Sequence, residues 1–227
     1  MTTAAIIVAA GSSSRMGFDK IFARLDGHPV LQYSVDAFHN CPSVDHILIV
    51  TQESNFDRIN PWIQSGLYSK LMTPVPGGDK RSLSVSAGLN ALPPDTSIVA
   101  VHDGARPLIT PDQISACIHK AQESGAAVSA HPIVDTVKRT NHRRIVSEGI
   151  DRDGLWAMET PQVFKTAILR NAYDKVLAEE IPVTDETSAV ELTRTPVHVV
   201  ANPHANHKIT YPQDLDLAHI ILGQRNP

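Results

Sequence analysis

The sequence has little cysteine and no dense block of positive charge, and these shortages exclude whole classes of protein. Only Cys41 and Cys117 occur among 227 residues, so neither a disulfide framework nor a cysteine-rich zinc site is indicated. Lysine and arginine number 20 against 24 aspartates and glutamates, which argues against a nucleic-acid surface. The apolar start is too short for a membrane span and lacks a basic leader. We therefore expect a soluble, cytoplasmic protein without a membrane or nucleic-acid partner.

Several familiar catalytic patterns are also missing. The chain has no Gly-x-Ser-x-Gly elbow, no Cys/His arrangement and no acid pair of the kind that hydrolyses glycosides. His198, His204 and His207 lack the paired helical spacing and the acidic neighbours of a zinc site. We therefore expect neither a side-chain nucleophile nor a metal ion held by protein ligands alone.

Short runs of valine, isoleucine and alanine alternate with helical patterns, which predicts one α/β domain spanning residues 1–227. The predicted strands are residues 4–10, 46–51, 98–102, 126–130 and 197–200. The predicted helices are residues 30–38, 82–92, 111–124, 166–178 and 212–222. Thr110 and Gly125 fit the two caps of one helix, and Thr210 with Gln213 fits a capping box. The pattern indicates a Rossmann-like, mostly parallel sheet with helices on both faces.

Residues 134–155 break this alternation. They contain Thr-Val-Lys-Arg-Thr, a polar turn Asn-His-Arg-Arg, and Ile-Val-Ser-Glu-Gly, which predicts two short strands in a hairpin arm leaving the sheet. Such an arm has too few apolar residues to bury itself. It therefore either folds back on its own domain or packs on a partner subunit.

Residues 6–20 point to a site for a nucleoside triphosphate. An apolar run that fits a buried strand passes into small residues, whose backbone N–H groups can face phosphate oxygens. Arg15 and Lys20 follow and can oppose the charge of a polyphosphate. The glycine spacing fits neither a Walker loop nor the fingerprint of a dinucleotide site.

Three further loops carry polar residues of the same chemistry. Residues 76–82, Pro-Gly-Gly-Asp-Lys-Arg-Ser, allow the backbone to approach a flat base, and Ser84 offers a hydroxyl. Asp103 follows an apolar strand and suits a ribose hydroxyl or magnesium, with Arg106 as its partner. Lys208 precedes a helix N-terminus, where anions are favoured. Cations, backbone donors and carboxylates together are what phosphoryl and nucleotidyl transfer require.

Taken in order along nearly the whole chain, these motifs resemble the 2-C-methyl-D-erythritol 4-phosphate cytidylyltransferase family. They are Ala-Ala-Gly-x-x-x-Arg-Met-Gly, Gly-Gly-Asp-x-Arg-x-x-Ser, His-Asp-Gly-Ala-Arg-Pro, Asp-Thr-Val-Lys-Arg, Asp-Arg-x-Gly-Leu-Trp, Thr-Pro-Gln, Thr-Asp-Glu and Lys-Ile-Thr-x-Pro-x-Asp-Leu. The resemblance implies a nucleotidyltransferase fold that transfers CMP from CTP to methylerythritol 4-phosphate in isoprenoid precursor synthesis, releasing pyrophosphate. It also implies Mg²⁺, bound mainly through the CTP phosphates.

The resemblance assigns roles to residues at matched positions. Those implied to hold the cytidine are Ala9, Ala10, Gly11, Gly78, Asp79 and Ser84. Arg15 and Lys20 would brace the triphosphate, and Asp103 and Arg106 would serve the ribose, metal or acceptor. Those implied to surround the acceptor are Thr136, Arg152, Thr160, Thr184 and Lys208, with Lys208 also near the α-phosphate. In this family the arm exchanges between two subunits, so the resemblance implies a homodimer in which Arg152 completes the partner's site.

Three departures from the family pattern and three alternative functions accompany this resemblance. Val8 stands where a proline is common, and Asp19-Lys20-Ile21 stands in place of Pro-Lys-Gln. Glu159 precedes Thr160 where the family pattern leads us to expect a neutral residue, which would place an acid beside the acceptor phosphate. A ribitol 5-phosphate cytidylyltransferase would share the fold and cytidine loop, although Gly104-Ala105 favours methylerythritol phosphate. A nicotinamide-dependent oxidoreductase would share the α/β layout but lacks its glycine fingerprint here. A non-catalytic nucleotide-binding protein would bind CTP without releasing pyrophosphate.

Overall fold

The computed structural model describes residues 1–11 and 17–225. Its strands are β1 (Thr2–Ala9), β2 (Arg24–Leu25), β3 (His28–Pro29), β4 (His46–Thr51), β5 (Val75–Pro76), β6 (Thr96–Asp103), β7 (Ala126–Pro132), β8 (Val137–Thr140), β9 (Val146–Ile150), β10 (Trp156–Lys165) and β11 (His198–Ala201). Its helices are α1 (Val30–Asn40), α2 (Phe56–Gln64), α3 (Arg81–Ala91), α4 (Pro111–Ser124), α5 (Thr166–Ala178), α6 (Glu186–Glu191) and α7 (Gln213–Arg225). None of the helices in this part of the chain is long and apolar enough to cross a membrane.

Seven strands form the central sheet in the order β11-β7-β10-β6-β1-β4-β5. Strand β10 runs antiparallel to β6 and β7, and the other neighbouring pairs are parallel. The predicted α/β class with a mostly parallel sheet is therefore confirmed. Each predicted strand and helix has its counterpart, and residues 46–51, 111–124 and 166–178 match to the residue. The sequence analysis missed the two-residue strands β2, β3 and β5, as well as α2, β10 and α6.

The two faces of the sheet are covered by different helices because side chains alternate along each strand. On one face, Ile7 of β1 belongs to a cluster that includes Phe38 of α1 and Ile114 of α4. On the other face, Ile6 belongs to a cluster that includes Leu89 of α3 and residues of α5. All five named side chains are buried. Because helices cover both faces of the sheet, a ligand can reach it at the ends of the strands.

The helix caps follow local chemistry, with one correction. The Thr110 side chain accepts the backbone N–H three residues later, and Gly125 adopts φ +94°, so both predicted caps of α4 are confirmed. The predicted capping box of Thr210 with Gln213 is wrong. The Asp214 carboxylate instead accepts the N–H of Thr210 at 2.7 Å and that of the following residue. A negative charge is favoured at this helix N-terminus, which explains why the aspartate takes the place of the glutamine.

Strands β8 and β9 pair antiparallel with each other as a two-stranded sheet of their own. The turn between them is closed by the Asn141 side chain, whose oxygen accepts two backbone N–H groups. Apolar residues around this hairpin stay open to solvent in the single chain: Val134 is 72 % exposed, Ile145 59 % and Val146 60 %. The use of residues 134–155 as a dimerisation arm stays a prediction.

Candidate active site

A cavity of about 460 Å³ lies where the parallel strands β1, β4, β5 and β6 reach their carboxyl ends. Open α/β sheets bind ligands at this edge. Predicted site residues line much of it, namely Ala9, Ala10, Gly11, Lys20, Gly78, Asp79, Ser84, Asp103 and Lys208. Loops far apart in the sequence, including the one that follows β11, thus bring three lysines and two aspartates to one cavity.

The glycine pair after β5 is dictated by close packing. A Cβ at Gly77 would lie 2.4 Å from the Cβ of Ala10 and 2.8 Å from Ser84 Oγ, which no real side chain tolerates. The N–H of Gly78 donates to Ser84 Oγ at 3.2 Å, and Ser84 is 1 % exposed. The Ser84 hydroxyl therefore holds the glycine loop against the end of β1, and the backbone of that loop faces the cavity.

Asp103 is surrounded by three cationic side chains. Lys208 Nζ donates to Asp103 Oδ2 at 2.8 Å, Arg81 reaches Oδ1 at 3.2 Å, and Arg106 Nε lies 3.6 Å from Oδ2. Burial raises the pKa of the Asp103 carboxyl, but Arg81, Lys208 and Arg106 outweigh it and hold that pKa far below its ordinary range. The predicted pair of Asp103 with Arg106 is therefore present, as part of a larger cluster.

Arg81 and Glu186 were missed as site residues by the sequence analysis. Arg81 donates to both carboxylate oxygens of Glu186, with its Nη2 at 2.9 Å from Oε2, and Glu186 is fully buried. The Tyr173 hydroxyl donates to the same carboxylate at 3.0 Å. Burial lowers the pKa of the Arg81 guanidinium, but Glu186 and Asp103 raise it above its ordinary value. Arg81 thus links α6 to Asp103 on the cavity. Its place in the motif Gly-Gly-Asp-x-Arg-x-x-Ser was the sequence signal that could have identified it as a site residue.

Lys20 reaches across to the segment that carries Lys208. Its Nζ donates to the carbonyl oxygen of Ile209 at 3.1 Å, and both lysines line the cavity. Arg15, which the resemblance assigns to the triphosphate, lies outside the described residues. The structure therefore brings two of the three predicted phosphate-binding cations together.

Thr160 is 3 % exposed and holds Asp103 from the protein interior. Its Oγ1 accepts the backbone N–H of Asp103 at 3.0 Å and lies 3.0 Å from His102 Nδ1. His102 Nε2 lies 3.2 Å from the carbonyl oxygen of Arg106. Because a carbonyl only accepts, Nε2 carries the proton and Nδ1 accepts from Thr160. Burial lowers the pKa of His102 to about 4, so the ring is neutral at physiological pH.

Of the five residues predicted for the acceptor, Lys208 lines this cavity, whereas Thr136, Arg152, Thr160 and Thr184 do not in the single chain. Thr136 and Thr184 are exposed, and the Thr184 hydroxyl lies 3.0 Å from that of Ser188. Arg152 is exposed, donates to the carbonyl oxygen of Val134 and lines a second cavity of about 500 Å³. The chain therefore assembles the nucleotide half of the predicted site more fully than the acceptor half.

Gln52 is a further cavity residue that the sequence analysis missed. It follows β4, the sheet neighbour of β1, and its Nε2 donates to the carbonyl oxygen of Ala10 at 3.3 Å. The side chain therefore links the ends of two adjacent strands on the cavity. Its position directly after a predicted strand was the signal that could have identified it.

The donors on this cavity fit a magnesium ion held mainly by substrate phosphates. Among residues 1–11 and 17–225, no group of three or more histidines, cysteines, aspartates or glutamates could hold a metal ion. Asp79 and Asp103 nevertheless bring carboxylates to the cavity. Magnesium in nucleotide enzymes is typically bound by one or two carboxylates together with phosphate oxygens.

Comparisons with known proteins agree with this geometry. Residues 3–224 match the family model described as 2-C-methyl-D-erythritol 4-phosphate cytidylyltransferase. A protein of that name from Dehalococcoides mccartyi is 42 % identical over 96 % of this chain and 95 % of its own length. One from Synechocystis is 37 % identical over 97 % of each chain.

Solved structures give the same result. The 4-diphosphocytidyl-2C-methyl-D-erythritol synthase from Anaerococcus prevotii has a TM-score of 0.86 at 30 % identity, covering 98 % of each chain. The 2-C-methyl-D-erythritol 4-phosphate cytidylyltransferase from Thermus thermophilus has a TM-score of 0.80 at 27 % identity, covering 96 % of this chain and 98 % of its own. The similarity therefore spans the entire fold.

Proposed function

The chain belongs to the 2-C-methyl-D-erythritol 4-phosphate cytidylyltransferase family, and we propose that it transfers CMP from CTP to 2-C-methyl-D-erythritol 4-phosphate, with release of pyrophosphate. The observation that carries this proposal is the single cavity in which the glycine loop meets Lys20, Asp103 and Lys208. The described lining of this cavity offers backbone donors and fixed cations, which suits the joining of two phosphates.

The nucleotide binds between the end of β1 and the glycine loop. The backbone of Gly78 and the small residues Ala9, Ala10 and Gly11 leave room for a flat base and its sugar. Asp79 lies at the same place, and Ser84 acts by fixing the loop. Specificity for cytosine then comes from backbone groups, which present donors and acceptors at fixed positions.

Catalysis consists of holding two polyanions in line. A phosphate oxygen of the acceptor attacks the α-phosphorus of CTP, a new P–O bond forms, and the bond to the bridging oxygen of pyrophosphate breaks. The acceptor phosphate is already anionic near neutral pH, so no base has to remove a proton. Two unit negative charges 4 Å apart repel by about 4 kcal/mol at the effective dielectric of a protein surface. Lys20, Lys208 and Arg15 oppose this repulsion and the charge on the departing pyrophosphate.

Lys208 is available to phosphate although it forms an ion pair with Asp103. When its ammonium turns toward the α-phosphate, Asp103 keeps Arg81 and Arg106 as partners. The carboxylate therefore stays compensated and can serve the ribose or hold magnesium. Bound magnesium would neutralise phosphate charge and orient the triphosphate.

The acceptor half of the site is completed by a second copy of the chain. Arg152 and Thr136 lie at the base of the hairpin and are exposed in the single chain, as are the apolar residues Ile145 and Val146. Packing this arm on a partner would bury those residues and carry Arg152 toward the partner's cavity. Thr184 would contribute from the protomer that holds the nucleotide, where Thr160 would act indirectly by holding Asp103. The protein is therefore proposed to act as a homodimer.

The proposal is tested by measuring pyrophosphate release from CTP and Mg²⁺ with methylerythritol 4-phosphate. Ribitol 5-phosphate as acceptor, and UTP and ATP as donors, serve as controls. We expect release with CTP and methylerythritol 4-phosphate and little with the controls. Pyrophosphate release with ribitol 5-phosphate but not with methylerythritol 4-phosphate would show that ribitol 5-phosphate is the acceptor. Binding of CTP without release of pyrophosphate would contradict the proposed catalysis.

A further inference from the structure

Glu159 is a buried carboxylate that accepts hydrogen bonds from four side chains. Its Oε2 accepts from Ser129 Oγ at 3.0 Å, Asn202 Nδ2 at 2.9 Å and Asn206 Nδ2 at 3.1 Å, and its Oε1 accepts from His131 Nδ1 at 2.8 Å. Burial raises the pKa of Glu159, but these hydrogen bonds outweigh it and lower that pKa below its ordinary value. The carboxylate is therefore ionised and fully engaged with protein, and it is 3 % exposed.

Two of these donors lie on the segment that carries Lys208. Asn206 Nδ2 also donates to the carbonyl oxygen of Thr160 at 2.9 Å, so two acceptors fix the orientation of this amide. Asn206 is 2 % exposed, and its own Oδ1 has no hydrogen-bond partner among the described residues. Leaving a buried acceptor without a partner costs free energy. The Asn206 amide therefore keeps this orientation because its hydrogen bonds to Glu159 and Thr160 outweigh that cost.

Asn206 also connects directly to the residues around Asp103. Its carbonyl oxygen accepts from Arg106 Nη1 at 2.8 Å, and three residues later the N–H of Ile209 donates to the carbonyl oxygen of Ala105 at 2.8 Å. Lys208 lies between these two anchors and donates to Asp103. A further guanidinium, that of Arg225, holds the carbonyl oxygen of Ala205. The contacts from Arg106 and Arg225 reach backbone carbonyl oxygens and do not orient the Asn206 side chain. Glu159 and the neighbouring carbonyl oxygen of Thr160 therefore determine its orientation.

We propose that Glu159 is a positioning residue that fixes Lys208 for the transfer reaction through the side chain of Asn206. The proposal rests on the proposed function, in which Lys208 contacts the α-phosphate. The proposal also explains how a carboxylate next to Thr160 is compatible with a phosphate acceptor, because four protein donors form hydrogen bonds with that carboxylate.

The first test compares variants that break the connection with variants that keep it. Asn206→Ala removes the link but leaves Glu159 three donors, and we expect kcat to fall by roughly tenfold or more. Glu159→Leu, which removes all four hydrogen bonds, should do the same. Glu159→Gln should stay within about threefold of the native kcat, because its amide oxygen can still accept from both asparagines. The matched control is Ser129→Ala, which removes a donor of Glu159 on β7 and should change kcat by less than about twofold.

The second test asks whether the effect passes through Lys208. In a Lys208→Ala background, Asn206→Ala should lower kcat further by less than about twofold, because the group it positions is gone. A general structural role would lower kcat by the same factor in both backgrounds, and that result would overturn the proposal.

The third test does not depend on turnover. Labelling of Lys208 by an amine-specific reagent, followed by peptide mass spectrometry, should be faster by roughly threefold or more in Asn206→Ala and unchanged in Ser129→Ala. If the native chain releases no pyrophosphate, the proposed function fails while this measurement still tests the position of Lys208. Unchanged labelling in Asn206→Ala would overturn the inference even if the enzyme is active.

Discussion

Asp103 and Lys208 are separated by 105 residues in the sequence and form an ion pair of 2.8 Å on the cavity. Arg81 and Arg106 contact the same carboxylate, so Asp103 keeps two cationic partners when Lys208 is removed or turns toward a ligand. Substitution of Lys208 therefore tests chemistry with little effect on folding. Because Arg81 is shared with Glu186, three cations face two carboxylates, and this surplus of one positive charge favours an anionic ligand.

Gly77→Ala should damage nucleotide binding. The added Cβ would lie 2.4 Å from that of Ala10, so the loop or the end of β1 has to move. We expect the KM for CTP to rise by about tenfold and the unfolding free energy to fall by about 1–3 kcal/mol. The control is Gly223→Ala on α7, where a Cβ meets nothing within 4 Å. An unchanged KM for CTP in Gly77→Ala would show that the close approach has no role.

Arg81→Met should destabilise the fold because it leaves the fully buried Glu186 without its cation. Breaking a buried pair by removing one partner costs about 3–5 kcal/mol, and urea denaturation measures that loss. The double variant Arg81→Met/Glu186→Gln should regain part of it, since no buried charge is left unpaired. The control, Lys120→Met, breaks an exposed pair with Glu123 and should cost less than about 1 kcal/mol. A double variant less stable than Arg81→Met would contradict this explanation.

His102 should make the protein less stable as the pH falls from 6.5 toward 4. Burial lowers the pKa of His102 to about 4 in the folded chain, against an ordinary 6.5. Between these values the unfolded chain binds a proton that the folded chain does not, so the unfolding free energy decreases by up to about 3 kcal/mol. The lowered pKa values of Asp103 and Glu159 act below their ordinary values of 3.8 and 4.5, mostly outside this window.

The measurement is the unfolding free energy at several pH values for the native chain and for His102→Gln. The variant, which has no group titrating in this window at that position, should show a shallower dependence on pH. If the native chain and the variant gave the same slope between pH 4 and 6.5, His102 would not be the group responsible.

The hairpin should hold the proposed dimer together. Ile145→Asp/Val146→Asp places charges where two apolar side chains would be buried by a partner, and we expect monomers by analytical ultracentrifugation. The control is Leu67→Asp, because Leu67 is 73 % exposed and lies outside the hairpin. A double variant that sediments like the native dimer would place the interface elsewhere.

Mixed dimers test whether Arg152 acts in the partner's site. When Arg152→Ala and Lys208→Ala chains are refolded together, each mixed dimer should contain one site with both residues intact. Random pairing then restores about a quarter of native activity from two inactive variants. Absence of recovery in demonstrated mixed dimers would show that Arg152 does not act across subunits.

The sequence predicted well those features that depend on local pattern. The parallel strands read as apolar runs, and the residues at their carboxyl ends converge because parallel strands share that edge, as Ala10 and Asp103 do. Strand β10 was missed because Glu159 and Pro161 interrupt it, and proline argues against a central strand. Helix α2 contains Pro61, which likewise resembles a break.

Local sequence pattern could not predict contacts between residues that lie far apart in the chain. Arg81 and Glu186 are 105 residues apart, and no spacing rule pairs them. Glu159 was recognised as a departure from the family pattern, but its hydrogen-bond partners could not be predicted. Asn202 and Asn206 reach it only because β11 returns beside β7, which is a property of the sheet order. These long-range ion pairs and hydrogen bonds complete the site that the motifs outline.

The central claim, that fixed cations on one cavity hold two phosphates together for transfer, is tested most directly by pyrophosphate release under single-turnover conditions. Native, Lys20→Ala and Lys208→Ala chains are compared with CTP, Mg²⁺ and methylerythritol 4-phosphate. The account predicts that each variant is slower by about 10²–10³ while its thermal unfolding midpoint stays close to native. Near-native rates in either variant would contradict it.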